Sequence, residues 1–183
     1  MKVGMVMRVE TEYLRIVKER FNSVKHLGDK TIKQLSEEDI HWAFNEESNS
    51  IAIIVKHVGG NMVSRWTDFL NSDGEKPYRN REQEFVGDIS SMQELIEVWE
   101  TGWGILFETL SDLDEKDLLK KVAIRGESHS VIEAIERQMA HYAYHIGQIV
   151  YIGKLIKSND WESLSIPKGK SEEYLQQMLK KNL

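Results

Sequence analysis

The chain has 183 residues, 40% apolar and 30% charged, the balance of a folded protein large enough to bury a core. Its net charge of −6 argues against an extended nucleic-acid or anionic-membrane surface, since both need a basic excess. Cysteine is absent, which excludes disulfides, thiolate metal sites and cysteine nucleophiles together and fits a reducing cytoplasm.

Met1 to Val9 carries Lys2 and Arg8 but no sustained apolar run, so no signal peptide is expected, and no stretch approaches the ~20 apolar residues of a membrane span. The first helix is predicted from Val9, Tyr13, Ile16, Val17, Val24 and Leu27, which recur at three- and four-residue steps. Ser50 is a good N-cap for a second helix, from Ile51 to about Leu70. Asn71 to Ile89 then holds Asp73-Gly74, Pro77 and eight charged residues, and a loop of that length in a compact fold is usually functional or disordered. Within it, Arg79 and Arg81 are suited to grip a carboxylate or another anion, or to pair on the surface with Glu82 and Glu84.

Ser91 and Glu94 form an S-x-x-E capping box for a third helix, striped by Met92, Leu95, Trp99, Trp103, Leu106 and Leu110. Val122 and Ile124 alternate ahead of Arg125-Gly126, the pattern of a short extended piece or hairpin. A second box, Ser130 and Glu133, opens a fourth helix running to about Ile156, and a short helix is predicted from Ser171. With only two prolines, much Glu and Lys, and no linker, the expectation is one all-α domain. It is a four-helix bundle with a long loop between helices two and three.

His141 and His145 lie one turn apart on a face of the fourth helix shared with Ala134, Gln138, Ile149, Ile152 and Ile156. Two imidazoles on an apolar stripe need partners, because an unpaired buried polar group costs roughly 1–3 kcal/mol. A shared metal ion satisfies both rings, and two separate hydrogen bonds to a carbonyl or a tyrosine would also do so. The peptidase pattern H-E-x-x-H is missing, since Tyr142 stands where its Glu would be. His57, on a strip of helix two with Ile53, Ile54, Asn61 and Ser64, is the third candidate ligand. Inward-facing side chains of neighbouring helices build metal sites in bundles, and three neutral imidazoles leave positions for water or substrate. His26, His41 and His129 have no comparable placement.

Gly59, Gly60, Gly102, Gly104, Gly147 and Gly153 all fall inside predicted helices. Each costs about 1 kcal/mol there, which points to close helix contact or to room for a ligand beside Gly60, Gly104 or Gly147. Trp103, flanked by two of them, fits either the core or the lining of such a pocket.

These residues resemble the DinB superfamily of bacterial proteins, which includes the YfiT-like metal-dependent hydrolases. His57-Val58-Gly59-Gly60-Asn61 looks like its helix-two histidine motif, and His141 to Ile149 looks like its helix-four motif. Asp73-Gly74-Glu75-Lys76-Pro77 and Ser165-Ile166-Pro167-Lys168-Gly169 resemble one branch of unestablished function. The resemblance implies a bundle holding a divalent ion, nickel or zinc, through His57, His141 and His145, in proteins that are often homodimers. Better-understood relatives transfer or rearrange groups with low-molecular-weight thiols such as bacillithiol or mycothiol. One departure is that no carboxylate lies beside the histidines in sequence, so no general base is named. The expectation is a cytoplasmic metal-dependent enzyme acting on a small-molecule substrate, of thiol S-transferase or hydrolase type. Gln148, Tyr142 or Asn61 would support the ligands. The alternative is a non-catalytic, stress-related metal or small-ligand binder, or an interaction module of the same fold.

Overall fold

A computed structural model describes residues 8–87 and 89–181; the expected lack of a signal peptide concerns a stretch that lies largely outside them. The elements are α1 Val9–Ile32, α2 Ile51–Trp66, α3 Arg81–Glu84, α4 Met92–Asp112, β1 Lys121–Ile124, β2 Glu127–Ser130, α5 Val131–Lys157 and α6 Ser171–Lys181. Each of the four long helices packs against two others, so they close a ring in the order α1, α5, α2, α4. The fold is the all-α bundle that the sequence predicts, and the long excursion between α2 and α4 carries the short α3. No helix among the described residues is long and apolar enough to cross a membrane.

Local chemistry starts these helices. The Ser50 side chain accepts the Ile53 N–H, and Ser130 and Glu133 form a complete capping box. At α4 the box is half realised. Ser91 caps Glu94 N–H, but the Glu94 carboxylate reaches back to Ser90 rather than to Ser91. Helix α2 stops at Trp66, short of the predicted Leu70, because Thr67 turns extended and Asp68 takes a left-handed φ of 49°.

The buried face of α1 also differs from the predicted stripe. Leu14, Val17, Phe21, Thr31 and Ile32 point inward, whereas Val9, Ile16 and Leu27 are exposed. Both sets repeat at helical spacing, and Phe21 decides between them by packing its ring against Trp66, Trp103 and Tyr142. Trp103 is a core residue, fully buried beside Trp99 and Phe107.

Helices α2 and α4 meet at glycines. A Cβ on Gly102 would lie 3.1 Å from the Cα of Gly59, and one on Gly59 would lie 2.6 Å from Val98 Cγ1. Close backbone approach therefore offsets the low helix propensity of both positions. Gly104 and Gly147 face open space instead.

The hairpin turns through Arg125 and Gly126, both at positive φ. It anchors the start of the long excursion, because the Asp73 carboxylate accepts the N–H groups of Arg125 and Gly126 at 2.8 and 2.7 Å. Gly74 N–H donates to the Ala123 carbonyl as well. The start of the α2–α4 segment is thus pinned to the hairpin at Asp73 and Gly74.

Candidate metal centre

Helix α2 carries His57 and helix α5 carries His141 and His145, and the packing of α2 on α5 brings the three rings together. One ring nitrogen from each lies within 4.8 Å of the other two, an arrangement that could hold a metal ion. The Nε2 atoms of His57 and His141 are 3.3 Å apart. His57 is buried, while His141 and His145 are partly exposed. His26, His41 and His129 stand outside the cluster.

The opposite nitrogens of two rings are fixed by hydrogen bonds. His57 Nδ1 donates to Glu84 Oε2 at 2.9 Å, and His145 Nδ1 donates to Gln148 Oε1 at 2.8 Å. A proton held at Nδ1 leaves the lone pair on Nε2, which then faces the cluster. At 3.3 Å the facing Nε2 atoms of His57 and His141 are close enough to share a proton or a cation, the role of His141 depending on its tautomer. His141 Nδ1 is buried and has no partner among the described residues, as does the side-chain oxygen of Gln138 three residues before it.

Burial, reinforced by the charges of neighbouring His145, His57, Arg79 and Arg65, pushes His141 down to about 3. Burial lowers His145 too, against the opposing hydrogen bond to Gln148. Both rings are therefore neutral at pH 7, the form that binds metal. A set of three imidazole nitrogens suits zinc, nickel or copper rather than calcium or magnesium.

Glu84, which the sequence offered only as a surface partner for arginine, makes a contact with His57 that the sequence did not offer. It sits in α3, 27 positions from His57 in the chain, and the fold of the 71–89 segment carries it back over α2. Arg79 clamps it through two bonds, Nε to Oε1 at 2.7 Å and a terminal nitrogen to Oε2 at 2.9 Å. Burial would raise the Glu84 carboxyl, but the hydrogen bonds from His57 and Arg79 and the Arg79 charge outweigh it and hold the group low. Glu84 is therefore an ionised acceptor for His57. Arg79 pairs with Glu84, the partner that the surface-charge reading named, but it does so bidentately and the pair is buried rather than on the surface.

Gly60 makes room for this contact, since a Cβ there would lie 2.6 Å from Glu84 Oε1. The space beside Gly60 is filled by the protein's own carboxylate. Phe85 follows, its ring 4.8 Å from that of His57. A helix-interior glycine followed in the chain by an Arg and a Glu on one loop was the available signal, although spacing alone does not place that loop.

Tyr142 and Asn61 are buried in the core. Tyr142 donates to Asn61 Oδ1 at 2.9 Å and accepts from Trp66 Nε1 at 3.0 Å, and its burial raises its pKa. Neither bond reaches a histidine. Of the three supporting residues expected, Gln148 is the one seen to hydrogen-bond a candidate ligand among the described residues, while the Tyr142 ring lies 5.4 Å from that of His141.

A comparison with curated proteins yields no match. A family model described as a protein of unknown function matches residues 8–170, which takes in every residue of the centre, and the chain belongs to that family, DUF1572.

Proposed function

We propose that the chain is a DinB-like, single-domain protein that binds one divalent metal ion, nickel or zinc, through His57, His141 and His145. We read it as an enzyme on small molecules, of thiol S-transferase or hydrolase type. The observation that carries the metal is the pair of Nδ1 hydrogen bonds, because they aim the Nε2 lone pairs of His57 and His145 into one cluster. Outer acceptors of this kind are what metal-bound histidines use to fix their tautomer.

When bound, such an ion supplies Lewis acidity and lowers the pKa of a water or thiol that reaches it. The chain's own residues do the rest. Glu84 holds the proton on His57 Nδ1, and Arg79 keeps Glu84 ionised for that task. Gln148 does the same for His145. Phe85 covers the His57 ring and limits water on that side. A low-molecular-weight thiol as co-substrate, a homodimer and a cytoplasmic setting complete the reading, on the strength of the family resemblance alone.

The test is elemental analysis of protein purified without metal-affinity resin, for wild type and for the single alanine variants of the three histidines. Thiol-conjugation and hydrolysis assays follow with the metal found. One ion per wild-type chain, lost in each variant with helicity kept, supports the proposal. Equal stoichiometry in all four proteins would leave three hydrogen-bonded core histidines.

A further inference from the structure

Each candidate ligand has a second ring nitrogen to satisfy. Glu84 accepts from His57 and Gln148 from His145, but His141 Nδ1 is buried with no partner among the described residues. The side-chain oxygen of Gln138, a residue 2% exposed on the same helix, is likewise buried and unpartnered. Residues three apart on a helix are neighbours, with Cβ atoms roughly 5–6 Å apart. A helical side chain also leans over the turn before it, which carries the His141 ring toward Gln138. His145 and Gln148, three apart on this helix too, close a bond of the same kind at 2.8 Å.

The tautomers explain why the pair stands open. A neutral imidazole has one proton to place. His57 places its proton at Nδ1, on Glu84, so its Nε2 can only accept in the 3.3 Å contact with His141. The proton in that contact is therefore on His141 Nε2, and His141 Nδ1 carries a lone pair. Two acceptors do not bond each other, so Nδ1 and the Gln138 oxygen are unpartnered together. With a cation between the rings, the His141 Nε2 lone pair is needed for it. The ring's one proton then belongs at Nδ1, where it requires an acceptor.

We propose that Gln138 is the positioning residue of His141: its side-chain oxygen accepts the Nδ1–H that His141 gains when a cation replaces the proton between the two Nε2 atoms. The inference rests on the metal reading above and gives each ring its own outer acceptor, Glu84, Gln148 or Gln138. His141 neither gains nor loses a proton overall, since one leaves Nε2 and one arrives at Nδ1. Buried Arg65 also has unpartnered N–H groups, at Nε and a terminal nitrogen. A bond from Arg65 to Gln138 would support the core without responding to an ion, and the test separates the two roles.

That test is long-range nitrogen-15 NMR of the imidazoles in the full chain, before and after one equivalent of zinc. The His141 signals are identified by their loss in His141→Ala. Zinc affinity and the thermal midpoint of metal-free protein are measured alongside for Gln138→Leu and Gln138→Glu. His141 should carry its proton at Nε2 without zinc and at Nδ1 with it. Gln138→Leu should weaken zinc binding roughly 10–100-fold, and Gln138→Glu, which keeps an acceptor, should restore most of the affinity. The metal-free midpoint of Gln138→Leu should stay at or above that of wild type, because the change removes an unpartnered buried acceptor. Zinc held with the His141 proton still at Nε2, or held equally well by Gln138→Leu, overturns this role while the ion remains bound. A metal-free midpoint lowered in Gln138→Leu with zinc affinity unchanged assigns Gln138 to Arg65 instead and overturns it as well. Failure of the wild type to take up zinc overturns the metal reading and this role with it.

Discussion

Glu84 Oε1 occupies the place where a side chain on residue 60 would begin, 2.6 Å from the Cβ that Gly60 lacks. Alanine in a helix interior is ordinarily better than glycine by about 1 kcal/mol. Here the new methyl meets a carboxylate held by Arg79 and His57 and must displace it. Gly60→Ala should therefore bring no gain in thermal midpoint and should weaken metal binding about tenfold or more. Isothermal titration with zinc on both proteins decides it, and unchanged affinity would show that Glu84 has another route to His57.

Removing the carboxylate itself separates its two tasks. Glu84→Gln keeps an acceptor for His57 but loses the charge, and it should weaken metal binding roughly 10–100-fold. Glu84→Ala leaves the buried side chain of Arg79 with Glu75, at 3.4 Å, as its one carboxylate among the described residues and should also destabilise the fold, by about 3–5 kcal/mol if no water reaches it. Urea denaturation of the metal-free proteins reads the second effect without the first. Midpoints of both variants equal to that of the wild type would count against a buried ion pair.

The pH dependence has a defined sign. His141 is held at about 3 by burial and nearby positive charge, below its ordinary value, so the folded protein resists protonation there more than the unfolded chain does. Its contribution is fully present above roughly pH 6.5 and is lost as pH falls toward 3, with a slope of at most about 1.4 kcal/mol per pH unit. His145 is lowered in the same direction. The thermal midpoint of metal-free protein should drop steadily from pH 7 to pH 4, and His141→Ala should flatten that profile. A midpoint independent of pH in this window would contradict the burial of the ring.

Tyr142 tests the core side of the site. Its hydroxyl satisfies Trp66 Nε1 and Asn61 Oδ1, all within the buried interior. Tyr142→Phe leaves both without this partner, a cost of about 1–3 kcal/mol, or roughly 2–4 °C of midpoint per kcal/mol in a chain of this size. Metal stoichiometry should stay unchanged, because no hydrogen bond links this group to a ligand. Loss of the ion in Tyr142→Phe would show coupling that the contacts do not explain.

Much of this was legible in sequence because it depends on periodicity. His141 and His145 share a face by virtue of one helical turn, and Ser50 and Ser130 announce their helices through short-range hydrogen bonds. The α1 stripe was misread where two apolar sets of equal spacing compete, since only the partners of Phe21 distinguish them. Glu84 was not legible for a different reason. It reaches His57 through a loop whose path is set by Asp73 on the distant hairpin turn, and no local pattern encodes a contact of that kind.

The origin of the ligands in separate parts of the chain also orders their assembly during synthesis. A nascent chain that has not yet produced residue 131 already contains His57, Arg79 and Glu84 but neither histidine of α5, so it has no cluster to offer an ion. Once α5 is made, His141 and His145 alone can chelate as a helical pair, and His57 joins only when α2 docks on that helix. Ion affinity should thus rise in two stages, with the weaker stage available to partly folded forms. Any ion held by those forms would subtract from the stabilisation that a bound ion would give the finished bundle.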